Sequence, residues 1–284
     1  MFDFKGQSSF LLGRLKAFIN FEAGLDFVGV PATKKNLWKS EDQLNDSASS
    51  RQKLEATEPT KLDANAPSYR AYVGRPDEWD LVAARQVMLL MAAGLRENHN
   101  LLDLGCGALR AGRLLIPYLR SGNYFGIEPN KWLVEEGIKH ELGEDLVRIK
   151  QPRFQHVSDF SVDVFGEKFD FAVAHSVFSH TYPDLALVGF RGIARSLSPK
   201  GKLFATFFEG EPSTEGSGWL YPGLVPYGWE HMERIVRKSG MVCRCLDWMQ
   251  PRQSWLVAAL PENEEEIDAL SCQLRPLQIQ GSFL

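Results

Sequence analysis

The stretch Leu101-Leu102-Asp103-Leu104-Gly105-Cys106-Gly107 decides the fold. Leu101–Leu104 reads as a short buried strand, the glycines as a turn, and Ala108–Leu119 as a helix that follows directly. A strand that passes through glycines into a helix brings bare backbone to the carboxyl edge of an open α/β sheet, where ligands bind. The same alternation continues outward. A helix is predicted from Pro76, a favoured first-turn residue, to the Gly94 stop. Tyr124–Ile127 is the second strand, and Pro129 opens a helix running to about Glu141. Arg153–Val157 is a weaker third strand and Phe169–Ala174 a buried fourth. Pro183–Leu197 is a helix, Pro199-Lys200-Gly201 a turn, and Lys202–Phe208 the fifth strand. Such alternation implies a doubly wound, mostly parallel sheet with helices on both faces. Glu230–Lys238 is a last helix. Met241–Trp248 and Ser254–Leu260 are then joined only by Met249 to Gln253, too short for a parallel crossover, so the expected seven-stranded sheet ends in an antiparallel hairpin.

The chain has 284 residues, a formal charge of −4, 44% hydrophobic and 24% charged residues. These values exclude a disordered chain, a collagen and a coiled coil. The slight negative charge argues against nucleic acid as partner. Four cysteines, at 106, 243, 245 and 272, form no CxxC pair, so neither a disulfide framework nor a zinc site is expected, and a reducing cytoplasm is the simplest compartment. No apolar run reaches the ~18 residues of a membrane span. Residues 1–74 read as an N-terminal extension, a helix plus a polar linker able to act as a lid. Residues 75–260 read as the main α/β domain and 261–284 as a tail. Within 8–22, Leu11, Leu12, Leu15, Phe18 and Ile19 share a helical face beside Arg14 and Lys16, a pattern that suits packing on the protein itself and also permits contact with a membrane surface. No small-residue cleavage site follows, so a signal peptide is not expected.

Glu128 ends the second strand, where an acidic residue can accept both hydroxyls of a ribose. A nicotinamide dinucleotide site would have G-x-G-x-x-G, but the third glycine position is Arg110. Asp103, two residues ahead of Gly105, would repel a pyrophosphate and suits a cationic ligand end. No G-x-x-x-x-G-K-[ST] occurs, which excludes a P-loop. Taken in order, Leu101–Gly107, then Gly126-Ile127-Glu128-Pro129, then the terminal hairpin resemble a class I S-adenosylmethionine-dependent methyltransferase over residues 76–260. The resemblance implies S-adenosylmethionine as cofactor. It places Asp103, Gly105, Cys106 and Gly107 at the methionine part, Glu128 and Pro129 at the ribose, and Asp159 and Phe160 near the adenine, with His175 beside them. The segment from Gly105 through Arg110 and Gly112 to Tyr118-Leu119 also resembles a bacterial subgroup of these enzymes. Where many members carry a third glycine, this chain has Leu109.

Methyl transfer from a sulfonium is an in-line displacement with a good leaving group, so positioning supplies most of the rate. A general base is needed only for a weakly acidic acceptor such as a sugar hydroxyl. The carboxyl end of the fourth strand, Ala174-His175-Ser176-Val177-Phe178-Ser179-His180, faces the methyl group in this family. It offers His175 and His180 as candidate bases, with neutral hydrogen-bonded histidines as the plainer alternative. It lacks the Asn/Asp-Pro-Pro-Tyr/Phe of amino-methylating enzymes, and no cysteine follows a proline as in cytosine-C5 enzymes. The loop Glu209–Gly228 carries Glu209, Trp219, Tyr221 and Tyr227 as candidate substrate contacts. No metal cluster is expected. The expected activity is methyl transfer to a small molecule or glycan at oxygen. The alternatives are a nicotinamide-dependent oxidoreductase and a cofactor-binding module that has lost catalysis.

Overall fold

The computed structural model describes residues 68–211, 216–250 and 252–274. The apolar stripe within residues 8–22 and the polar linker at 39–67 lie outside the described residues. β1 (Leu101–Leu104) is buried along its whole length because it is central. It pairs in parallel with β2 (Tyr124–Ile127) on one side and β4 (Phe169–Ala174) on the other. β3 (Arg153–Gln155) extends the sheet beyond β2. β5 (Leu197–Glu209) pairs in parallel with β4 and antiparallel with β8 (Ser254–Ala259), which returns to β7 (Val242–Leu246). The order is β3-β2-β1-β4-β5-β8-β7, with the two-residue β6 (Pro226–Tyr227) beside the end of β5. The expected mostly parallel sheet closed by an antiparallel hairpin is present, and β8 is the strand that runs against the rest. The expected turn at Pro199-Lys200-Gly201 is absorbed into β5 as an irregularity in its pairing with β4.

Strand alternation divides the core in two. Leu102 and Leu104 face one cluster with Phe125, Ala172, Leu203 and Leu256. It is covered by α6 (Pro183–Ser196), through Phe190 and Ile193, and by α7 (Trp229–Lys238), through Met232 and Val236. Leu101 faces the other cluster, with Tyr124, Val173, Phe204 and Val257. That side is covered by α2 (Trp79–Ala92), α3 (Gly112–Tyr118) and α4 (Lys131–Gly137). α5 (Glu144–Lys150) leads into β3.

The packed body continues on both sides of 75–260. α8 (Glu264–Gln273) buries Ile267 and Leu270 in the second cluster. It is pinned by Arg244, which pairs with Glu264 and Asp268. At the other end, α1 (Ser68–Tyr72) places Tyr69 and Tyr72 in a small cluster with Trp79, Ala108 and Leu133. Acidic Glu262–Asp268 therefore reads as a helix start whose carboxylates favour the positive end of the backbone dipole.

Leu109, in the turn leaving β1, has φ +60 and is fully buried. A left-handed leucine costs roughly 1 to 3 kcal/mol, and truncating a buried leucine costs about 2 to 5 kcal/mol. The side chain outweighs the strain, so the position tolerates a residue other than glycine. Both Leu109→Ala and Leu109→Gly are expected to destabilise the protein. Because only glycine relieves the φ strain, Leu109→Gly should be the more stable of the two by about 1 kcal/mol, read by urea denaturation. The opposite order would contradict the left-handed conformation.

Candidate functional site

The glycine loop is shaped by what its backbone donates to. Gly105 has φ +73, and a Cβ there would lie 2.5 Å from Val177 Cγ2, so only glycine lets β1 and the end of β4 meet this closely. The Gly105 and Cys106 amides both donate to the Ile127 carbonyl, at 2.8 and 3.0 Å. The Gly107 amide donates to Glu128 Oε2 at 3.1 Å. Glu128 Oε1 accepts from the Asn130 amide at 2.9 Å and from Asn130 Nδ2 at 3.0 Å. Burial raises the Glu128 carboxyl above its ordinary value, while these N–H donors pull it back.

Above this loop is a cavity of about 270 Å³. The glycine loop contributes Gly105, Cys106, Gly107 and Arg110, and the end of β2 contributes Glu128, Pro129 and Asn130. Val157, Ser158 and Phe160 come from the segment after β3. His175, Ser176, Val177 and His180 come from the carboxyl end of β4. Tyr72 and Val73 arrive from α1, and Trp219 and Tyr221 from the loop after β5.

That loop is stitched down on both sides. The Tyr182 amide donates to Gly218, Leu220 to His180 and Val225 to Ser179, at 2.8 to 2.9 Å. Trp219 Nε1 donates to the Ser158 carbonyl at 3.0 Å, and its ring stacks on Phe160 at 5.1 Å. The Tyr221 hydroxyl donates to the Tyr72 carbonyl at 2.6 Å. Two distant segments thus close over one opening.

The two histidines have opposite tautomers. Arg110 Nη2 lies 2.9 Å from His175 Nδ1. Arginine only donates, so Nδ1 accepts and the proton sits on Nε2. Gln250, in the β7–β8 connection, has its amide end against this N–H, with its own nitrogen Nε2 placed at 3.0 Å, and two donors cannot pair. Its amide must present Oε1 to that N–H, which also gives a partner to an oxygen otherwise buried without one. Burial and the Arg110 charge hold His175 well below the ordinary histidine range. His180 is 6% exposed. Its Nδ1 donates to the Gly223 carbonyl at 2.6 Å, leaving the lone pair on Nε2. Its ring packs edge-on against Tyr221 at 4.9 Å.

Of the residues singled out in the sequence, the cavity gathers Gly105, Cys106, Gly107, Glu128, Pro129, Phe160, His175, His180, Trp219 and Tyr221. Four lie outside its lining. Asp103 faces the α2–α3 side by strand alternation. Asp159 is solvated and accepts from the Ser161 amide at 3.0 Å. Glu209 is exposed at the end of β5. Tyr227 is fully buried, donating to the Thr181 carbonyl at 2.5 Å. Arg110 and Tyr72 line the cavity without having been singled out. Arg110 had a signal, a cation where a dinucleotide loop has glycine. Tyr72 had only the aromatic pair of Ser68-Tyr69-Arg70-Ala71-Tyr72, in a stretch read as extension.

Residues 102–203 match the family model of a methyltransferase domain. Among solved structures, Streptomyces venezuelae DesVI aligns with a TM-score of 0.52 at 15% identity, over 70% of this chain and 99% of that one. Magnesium protoporphyrin IX methyltransferase (ChlM) from Synechocystis PCC 6803 aligns with a TM-score of 0.49 at 17% identity, over 77% and 94%. At 15% identity the likeness to DesVI is one of fold.

Asp103 is 4% exposed and accepts from the Tyr124 hydroxyl at 2.7 Å. Burial raises its carboxyl to about 6, with Tyr124 and Arg110 opposing. A native pKa above the unfolded one means that the folded state holds the extra proton between about pH 4 and 6. Stability from this group is present below that window and is lost as pH rises through it. Asp103→Asn removes the titration. The stability of wild type relative to Asp103→Asn should fall by on the order of 2 kcal/mol between pH 4.5 and 7.5, measured by urea denaturation at each pH. A constant difference would rule out a raised Asp103.

Proposed function

We propose, from the premise that this chain carries a class I S-adenosylmethionine-dependent methyltransferase domain, that it methylates a hydroxyl of a small molecule or glycan. The cofactor supplies an electrophilic methyl group on a sulfonium. The residues fit it. Bare backbone at Gly105–Gly107 permits close approach, and the Glu128 carboxylate, which keeps one lone pair on Oε2 beyond those its three N–H partners use, suits a ribose hydroxyl. Val157 and Phe160 offer apolar surface to a base. Charge fits as well: Glu128 and the nearby Asp103 against Arg110 leave a net negative site for a cofactor of net positive charge. Two dinucleotide phosphates would be repelled there.

One observation carries oxygen as the acceptor atom. His180, at the carboxyl end of β4, has its Nδ1 proton committed to the Gly223 carbonyl, which makes Nε2 the basic nitrogen in the cavity. A hydroxyl must lose its proton as the methyl group arrives, and a fixed imidazole lone pair accepts it. His175 does not suit this task, because its lone pair already accepts from Arg110. Tyr72, Trp219 and Tyr221 supply flat faces against which a sugar or planar acceptor packs. We retain the division into an N-terminal extension, catalytic domain and C-terminal tail as a proposal, with α1 and α8 belonging to the packed body.

Calorimetry should show binding of S-adenosylmethionine and S-adenosylhomocysteine and none of NAD. NAD binding without either sulfur ligand would sink this reading. Across a panel of phenolic and glycosyl hydroxyl acceptors, His180→Asn keeps a donor for Gly223 and removes the base. It should lower kcat by roughly 10² to 10⁴-fold while S-adenosylhomocysteine affinity changes little. Full turnover in that variant would eliminate His180 as base.

A further inference from the structure

The sequence pointed to Asp103 as the contact for the amino-acid end of the cofactor, yet Asp103 is behind the loop. The charged side chain that the glycine loop sends to the cavity is Arg110. Its guanidinium is held on two sides by groups with no other task in the proposed chemistry. Nη1 donates to the Val73 carbonyl at 3.2 Å, and Nη2 donates to His175 Nδ1 at 2.9 Å. His175 is in turn fixed by Gln250 at 3.0 Å. The Arg110 guanidinium also lies 5.9 Å from the Trp79 ring centroid. Three segments far apart in sequence, the end of α1, the end of β4 and the β7–β8 connection, converge to aim one cation.

Resting on the methyltransferase reading, we propose that Arg110 recognises the carboxylate of the cofactor's amino-acid end, and that His175 and Gln250 are positioning residues that orient its guanidinium. A planar guanidinium grips a carboxylate through directed N–H donors, so its orientation sets its affinity. Asp103 and Glu128 close by disfavour a doubly charged phosphate at the same place. They favour an end that carries an ammonium beside its carboxylate. His175 therefore acts through Arg110 and not on the acceptor, which accounts for a neutral histidine with both nitrogens engaged in a catalytic cavity.

The test is calorimetry on the full chain with three probes: S-adenosylhomocysteine, its decarboxylated analogue, and 5′-methylthioadenosine, which lacks the amino-acid end. Wild type should prefer S-adenosylhomocysteine over the decarboxylated analogue by tenfold or more. In Arg110→Gln that preference should fall towards unity while 5′-methylthioadenosine affinity stays within about twofold. Arg110→Lys, which keeps the charge and loses the fork, should be intermediate. His175→Ala should lose most of the preference, and His175→Asn, which can present an oxygen to Arg110, should restore part of it. An undiminished preference in Arg110→Gln overturns the inference and leaves the cofactor reading standing. Failure of wild type to bind any of the three overturns both.

Discussion

The site depends on how the first two strands are tied at their carboxyl ends. Three consecutive amides of the glycine loop, from Gly105 to Gly107, find their acceptors on Ile127 and Glu128. A turn this tight turns its own N–H groups outward, and buried amides need partners. Ile127 takes two of them, and the Glu128 carboxylate takes the third while binding Asn130 at the mouth of α4. A carboxylate is worth more here than a neutral acceptor, because charge-assisted bonds are stronger. At 7% exposure it would be costly without those donors. Glu128 is therefore structural before it is functional.

From that tie the rest of the cavity follows. Once the glycine loop is fixed to β2, Val177 can close against Gly105, and the end of β4 takes its place opposite Glu128. The loop after β5 then pairs with Ser179, His180 and Tyr182, while Trp219 reaches across to Ser158. The aromatic run Trp219, Phe160, Phe178 and Phe190 stacks from the surface into the core. The covering loop is thus anchored by packing as well as hydrogen bonds, although Trp219 itself stays 41% exposed.

Much of this was legible in the sequence, for a local reason. Central parallel strands are short apolar runs set between glycine and proline signals, and Leu101–Leu104, Tyr124–Ile127 and Phe169–Ala174 were readable at their observed bounds. The hairpin followed from the length of its connection. The hydrogen bond from the Gly107 amide to Glu128 was not legible, because the sequence marked Glu128 only as an acceptor for a ribose. What was not legible depended on direction and on long-range contact. Strand alternation alone turns Asp103 away from the cavity, but which face of β1 meets the cavity is set by helices elsewhere. Tyr72 reaches the site from a segment with no periodicity to mark it. Glu144–Lys150 and Glu264–Gln273 are short helices whose polar faces dilute any apolar pattern.

His175 and His180 show the limit most sharply. They lie on the same segment and line the same cavity, and nothing in their spacing separates them. Their chemistry is set by the partner of one atom. An arginine on Nδ1 can only donate, so it makes that nitrogen an acceptor and occupies the lone pair a base would need. A backbone carbonyl on Nδ1 can only accept, so it makes that nitrogen a donor and moves the lone pair to Nε2. Arg110 comes from the loop after β1, and Gly223 from the loop after β5. The tautomers of two histidines alike in sequence are thus set by residues 65 and 43 positions away, and become visible only when the fold brings them together.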